Sequence, residues 1–263
     1  MKSLNALKTN PLQTAVLIAV FNICLIQPAP AASIKSWGST VFDSSDFPLT
    51  NAVAITAGGM NSLALKSDGS IVGWGNNNSG QATPPAGKNF IAIATGYSHS
   101  LALKSDGSIV GWGGNSSPPA GNNYVAIAAG GWHSLALKSD GSIVGWGGNS
   151  SPPAGNNYVA IAAGGYHSLA LKSDGSIVGW GDNQTGQATP PAGNNYTAIA
   201  AGYYHSLALK SDGSIVAWGN NNSGQCNIPS PNSGFIAITA GAAHSLALKS
   251  DGSVVGWGMN NSG

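Results

Sequence analysis

Two sets of polar side chains recur along this chain at spacings that could support chemistry. The string His-Ser-Leu-Ala-Leu-Lys-Ser-Asp-Gly-Ser begins at His99, His133, His167 and His205 and returns from His244; an earlier copy has Asn61 in place of the histidine. Each copy carries a lysine and an aspartate two residues apart, as in Lys66/Asp68 and Lys104/Asp106. Such pairs could act as base and acid, and imidazoles could hold a metal. Repetition argues against both. A catalytic group occurs once, in a unique setting, whereas these occur in every copy. Asp before Gly is turn chemistry, and Lys at a strand end is a solvated rim residue. Ligands of one ion must lie within a few ångströms of one another, and these histidines are a whole repeat apart. They read as structural hydrogen-bonding residues. The chain has no G-x-S-x-G, H-E-x-x-H, phosphate-loop or paired-carboxylate pattern. No catalytic residue, no metal site and no cofactor is expected, and the chain does not read as an enzyme.

The residues that differ between near-identical copies carry more information. Two positions precede each His-Ser: Gly59-Met60, Tyr97-Ser98, Gly131-Trp132, Gly165-Tyr166, Tyr203-Tyr204 and Ala242-Ala243. Aromatics dominate this pair while its flanks scarcely change. Rigid aromatic side chains give large contact area at low entropic cost. Met60, Tyr97, Trp132, Tyr166, Tyr203 and Tyr204 are therefore the candidate binding residues. The plainer alternative is that they are ordinary, partly buried loop aromatics.

These loops need a scaffold that presents them together. Each unit reads as three short strands: one like Tyr124–Ala128, one like Ser134–Lys138 and, after the Ser139-Asp140-Gly141 turn, one like Ile143–Trp146. Loops rich in Asn, Ser, Gly and Pro join the units. Trp-Gly closes each third strand at Trp74, Trp112, Trp146, Trp180, Trp218 and Trp257, spaced by 38, 34, 34, 38 and 39 residues. The tryptophans read as anchors of the repeat core. Leu135 and Leu137 alternate with Ala136 rather than with charges, so the strands are apolar on both faces. That suits small sheets stacked face to face. The expected fold is an all-β propeller of three- to four-stranded blades: six complete repeats plus an N-terminal orphan strand, Ile34–Trp37. A linear β-solenoid is the alternative, but its coils would lack the tight Asp-Gly hairpin.

Composition agrees. The chain has 38 Gly among 263 residues; every basic residue is Lys and every acidic one is Asp. Without Arg and Glu it lacks two good helix formers. Lys2 and Lys8 precede the apolar run Thr14–Ile26, which is short for a membrane span, and Ala29-Pro30-Ala31 follows. Residues 1–31 read as a signal peptide and 32–263 as the mature propeller. A lipoprotein anchored through Cys24 and an uncleaved anchor are the alternatives. The mature chain carries eight Lys and nine Asp, a net charge of −1. It has no basic patch for nucleic acid. Its one cysteine, Cys226, cannot form an internal disulfide. No second apolar stretch follows, so no membrane insertion is expected after cleavage. The product is expected to be secreted, extracellular or periplasmic.

The pattern A-G-x-x-H-S-L-A-L-K-S-D-G-S-I-V-x-W-G, followed in some copies by N-N-x-S-G-Q, resembles the regulator of chromosome condensation repeat. Its short period is more similar to the bacterial form typified by the β-lactamase inhibitory protein of the second type. The resemblance implies a seven-bladed propeller in which the N-terminal strand commonly completes the last blade. Here the last repeat stops in mid-linker, at residues 259–263. Either the sequence is truncated, the favoured reading, or six blades close with an extra edge strand. The function expected is a non-enzymatic binding module that meets an extracellular or periplasmic protein through its aromatic loops. The alternatives are a lectin-like propeller that binds glycan and a β-lactamase-inhibitor-like protein. Guanine nucleotide exchange ranks last, because small GTPases are intracellular and this chain carries an export signal.

Overall fold

The computed structural model describes residues 51–260 apart from Asn115 and Asn149. The expected signal peptide and the orphan strand Ile34–Trp37 lie outside these residues. The described residues form eighteen strands in six separate three-stranded sheets, each a sequential meander. Blade 1 is β1 (Ala52–Ala57), β2 (Asn61–Lys66) and β3 (Ile71–Gly75). Blade 2 is β4 (Phe90–Thr95), β5 (His99–Lys104) and β6 (Ile109–Gly113). Blade 3 is β7 (Tyr124–Ala129), β8 (His133–Lys138) and β9 (Ile143–Gly147). Blade 4 is β10 (Tyr158–Ala163), β11 (His167–Lys172) and β12 (Ile177–Gly181). Blade 5 is β13 (Tyr196–Ala201), β14 (His205–Lys210) and β15 (Ile215–Gly219). Blade 6 is β16 (Phe235–Ala240), β17 (His244–Lys249) and β18 (Val254–Gly258).

All pairing is antiparallel, and the register repeats: Tyr124 faces Lys138 and Ser134 faces Trp146 in blade 3, as Tyr158 faces Lys172 and Ser168 faces Trp180 in blade 4. The second strand turns into the third through the Ser-Asp-Gly hairpin. In blade 3, Asp140 Oδ1 accepts hydrogen bonds from Ser142 N at 2.9 Å and Ser142 Oγ at 2.7 Å, and Gly141 takes the positive φ of 81° that the turn requires. Those two bonds hold the Asp140 carboxyl below its usual range. The repeated Lys-Ser-Asp is thus hairpin structure.

The Leu-Ala-Leu pattern of the second strands is a nesting code. Leu135 and Leu137 pack with Tyr158, Ile161 and Ala170 of blade 4. Ala136, on the opposite face, packs against Leu101 and Leu103 of blade 2. Bulk on one face meets small residues on the next, so the sheets approach closely. Leu63, Leu101, Leu135, Leu169 and Leu207 are all fully buried. Each such leucine contributes about 1.5–3 kcal/mol relative to exposure. The first strands of successive blades also lie against one another, β4 on β7 and β7 on β10. In blade 6, by contrast, His244 and Val254 are exposed, and Leu246 is only half-buried. No following blade covers that face among the described residues.

Trp112, Trp146, Trp180, Trp218 and Trp257 pack against the cores between blades, as expected of anchors. They are half-buried, because they sit on the third strand of each sheet, away from the crowded first strands. Three of their indole N–H groups reach a linker carbonyl, whereas those of Trp146 and Trp180 are buried without a partner. Trp112, Trp218 and Trp257 donate to the main-chain carbonyls of Gln81, Gln187 and Gln225 at 2.8–2.9 Å, each in the linker that precedes the blade.

Candidate functional site

An antiparallel meander places its two kinds of loop at opposite ends. The hairpins that carry Lys and Asp lie at one end of every blade; the Gly-x-x-His loops between first and second strands lie at the other. The structure therefore brings Met60, Tyr97, Trp132, Tyr166, Tyr203 and Tyr204 to the same end of the blades, as the repeat pattern implies. Met60, Tyr97, Trp132 and Tyr204 are exposed, and Tyr166 and Tyr203 are half-buried.

These loops are held rigidly from below. Gly130 N closes the loop by donating to His133 O at 2.8 Å, and the same bond recurs from Gly164 to His167 and from Gly202 to His205. The linker after each blade clamps the loop from the side: Asn76 N donates to Met60 O, Asp182 N to Tyr166 O and Asn220 N to Tyr204 O, at 2.8–2.9 Å. Neighbouring loops are joined too, with Gly131 N donating to Gly164 O at 3.0 Å.

The histidines tie blade to blade. Nε2 of His99, His133, His167 and His205 lies 2.8–2.9 Å from the hydroxyls of Ser134, Ser168, Ser206 and Ser245 in the following blade. Ser206 Oγ donates its proton to Gln187 O at 2.8 Å, and Ser245 Oγ to Gln225 O at 2.9 Å. The Nε2 atoms of His167 and His205 must therefore be the donors, which leaves Nδ1 bare. Those Nδ1 atoms are buried and have no partner. Protonation there would bury a charge with nothing to receive its N–H. Burial accordingly pushes His99, His133 and His205 down to about 4 and His167 to about 3. Among the described residues no three His, Cys, Asp or Glu side chains gather as a metal site. Cys226 is half-buried, its thiol pushed up to about 11 by desolvation.

The aromatics form two touching groups. Tyr97 and Trp132 stack, centroids 5.6 Å apart at 24°. Tyr203 meets Tyr166 edge-on at 5.7 Å and Tyr204 at 4.6 Å. The Tyr203 phenol is pushed up to about 12, first by its hydrogen bond with Tyr166 and then by desolvation; the Trp132 indole acts in the opposite direction. Met60 stands apart at the blade 1 end.

Beside the second group lies an open groove of about 600 Å3, lined by Ser151, Tyr166, Trp180, Asp182, Gln184 and Tyr204 among others. Four of these were not candidates from sequence. The signal was present as a break in the linker pattern: Gly-Asn-Asn-Asn-Ser-Gly-Gln at 75–81 becomes Gly-Asp-Asn-Gln-Thr-Gly-Gln at 181–187. The short linker 148–157, which carries Ser151, precedes blade 4, and the long linker 182–195 follows it.

Comparison with known proteins follows the repeat. The family model described as Regulator of chromosome condensation (RCC1) repeat matches residues 52–81, 90–117, 124–151, 158–187, 196–225 and 235–263. No curated protein sequence matches the chain. Among solved structures, Prp20p from Saccharomyces cerevisiae is similar at 22% identity and a TM-score of 0.71, over 80% of this chain and 72% of that one. The CRINKLY ectodomain of the receptor kinase ACR4 from Arabidopsis thaliana is similar at 24% identity and a TM-score of 0.68, over 80% of each chain. The CR4 ectodomain from Physcomitrella patens is similar at 25% identity and 0.68, over 79% and 61%. These likenesses place the six sheets in a propeller.

Proposed function

The chain belongs to the regulator of chromosome condensation (RCC1) repeat family, and on that premise we propose that it is an exported, non-enzymatic module that binds a protein through its aromatic loops. The observation that carries this reading is the exposure of Met60, Tyr97, Trp132 and Tyr204 at one end of the blades, on loops locked by main-chain bonds. Rigid exposed aromatics make effective anchors because little entropy is lost when a partner covers them. Related propellers support a protein partner: Prp20p is described by its binding to Gsp1p and histones, and it has been crystallised with Kap60. The N-terminal segment, with its basic start, apolar run and Ala-Pro-Ala, supports export of residues 32–263 and so a partner outside the cytoplasm.

One feature favours protein over glycan. A sugar ring stacks on a free aromatic face, whereas Tyr97 and Trp132 stack on each other and Tyr203 is hemmed in by Tyr166 and Tyr204. What remains outward is a set of exposed side chains spread over several loops, Met60, Tyr97, Trp132 and Tyr204, an extent that suits a protein surface. The test is to pan a displayed random-peptide library against the mature chain and against a variant carrying Trp132→Ala, Tyr166→Ala and Tyr204→Ala. Peptides enriched on the first and lost on the second support the reading. Peptides that bind both equally, or strong glycan-array binding with no enriched peptide, overturn it.

A further inference from the structure

Among the described residues, the aromatic end of the blades carries one Lys or Asp side chain, Asp182. Every described lysine lies at the hairpin end or in the linker leading to it, and every other described aspartate sits in a Ser-Asp-Gly turn. Asp182 occupies the place held by Asn76 and Asn220 in the other long linkers. There the asparagine Oδ1 accepts from the following glutamine Nε2 at 2.9 Å and from the backbone N two residues on at 3.1 Å. Asp182 keeps the glutamine contact, Gln187 Nε2 to Oδ2 at 2.9 Å, but its Oδ1 receives only a 3.4 Å approach from Gln184 N. The exchange of Asn for Asp thus leaves the linker fold unaltered and adds a negative charge with spare acceptor capacity. Among the described residues no lysine pairs with it.

Its surroundings fit one kind of occupant. The carboxylate lines the groove together with the rings of Tyr166, Trp180 and Tyr204. Asp182 N donates to Tyr166 O at 2.9 Å, and Thr185 Oγ1, whose proton goes to Gln187 Oε1 at 2.7 Å, lies 3.2 Å from Tyr204 O, so the linker that bears the charge is held against the Tyr166 loop and beside the Tyr204 loop. A carboxylate that shares a groove with three aromatic side chains attracts a cation on an apolar stem. We infer that the groove takes a cationic side chain, lysine or arginine, from the protein partner. This deepens the protein-binding reading and rests on it; a neutral sugar is the competing occupant.

The experiment follows the ring resonances of Tyr166 and Tyr204 by NMR in the full mature chain during titration with N-acetyl-lysine methylamide, N-acetyl-arginine methylamide, their neutral counterparts built on norleucine and citrulline, and methyl glucoside. Asp182→Asn is the matched variant, and it should fold because asparagine already serves at positions 76 and 220. At least one cationic probe should bind about fivefold or more tightly than its neutral counterpart, and the variant should erase that difference. Equal binding of cationic and neutral probes, a preference that survives Asp182→Asn, or tighter binding of the glucoside overturns the inference. Library peptides that need Trp132 but are indifferent to Asp182→Asn would overturn this inference alone and leave the protein-binding reading standing.

Discussion

His167 Nε2 stands 2.9 Å from the hydroxyl of Ser206 in the next blade, and neither group reaches solvent. The bond is one link of a ladder that runs from blade 2 to blade 6. It joins sheets that share no backbone hydrogen-bond ladder, so it makes blade packing depend on the protonation state of four imidazoles.

Stability should fall with acid in a defined window. The folded-state values of His99, His133, His167 and His205, about 4, 4, 3 and 4, lie below the ordinary 6.5. The unfolded chain therefore binds more protons between these limits. Stability is complete above about 6.5 and is lost as pH falls toward 4 and 3. A drop from 6.5 to about 4 corresponds to about 3 kcal/mol per histidine. The hairpin aspartates, held low by their serines, keep their full contribution above 3.8 and begin to lose it only below that value. Thermal melts from pH 7.5 to 4 should show the melting temperature falling over the histidine window. A flat profile down to pH 4.5 would contradict the buried neutral ladder.

Removing one rung should cost much more in the middle than at the end. His167→Ala leaves a cavity and strips Ser206 of its donor, a loss of about 2–4 kcal/mol. His244 is exposed, and His244→Ala should cost under about 0.5 kcal/mol. Urea unfolding of the two variants measures the difference. Equal losses would show that the ladder is not what holds the blades.

Glycine before each loop is a packing requirement. A Cβ on Gly164 would run into the His167 ring and the Gly202 carbonyl oxygen of the next blade. Backbone cannot yield, so Gly164→Ala should destabilise by about 2–4 kcal/mol. A Cβ on Gly59 meets first the Tyr97 ring, 2.6 Å away. Gly59→Ala should cost only about 1 kcal/mol while turning the Tyr97 ring and changing tryptophan fluorescence through its stack with Trp132.

Gln187 joins linker, blade and groove. Its carbonyl accepts from Ser206 and Trp218, its Nε2 donates to Asp182, and its Oε1 accepts from Thr185. Gln187→Ala keeps the carbonyl but frees the Asp182 linker, so a loss of about 1–3 kcal/mol is expected. Trp218→Phe removes one donor while Ser206 still satisfies the carbonyl, and it should cost about 1 kcal/mol in hydrogen bonding. Differential scanning calorimetry ranks the two.

Much of this fold was legible in the sequence because the repeat writes the same instruction six times. Asp-Gly at a fixed offset places each hairpin, and apolar residues on both faces demand stacked sheets. The alternation of the two loop types followed from the meander, and it put Tyr97, Trp132, Tyr166, Tyr203 and Tyr204 at one end without any coordinates. The same repetition hid what was specific. Asp182 reads as one more variable linker residue, since its meaning depends on the distance to Tyr166 and Tyr204, which are 16 residues before it and 22 after it. The tryptophans read as core anchors and do pack against the core, but which linker carbonyl an indole reaches is not written in the repeat. Local pattern determines strands and turns, since those are set by neighbours along the chain. Only tertiary packing decides which Leu meets which Ala, which imidazole nitrogen stays bare and which carboxylate faces a groove, since those contacts join residues a whole repeat apart.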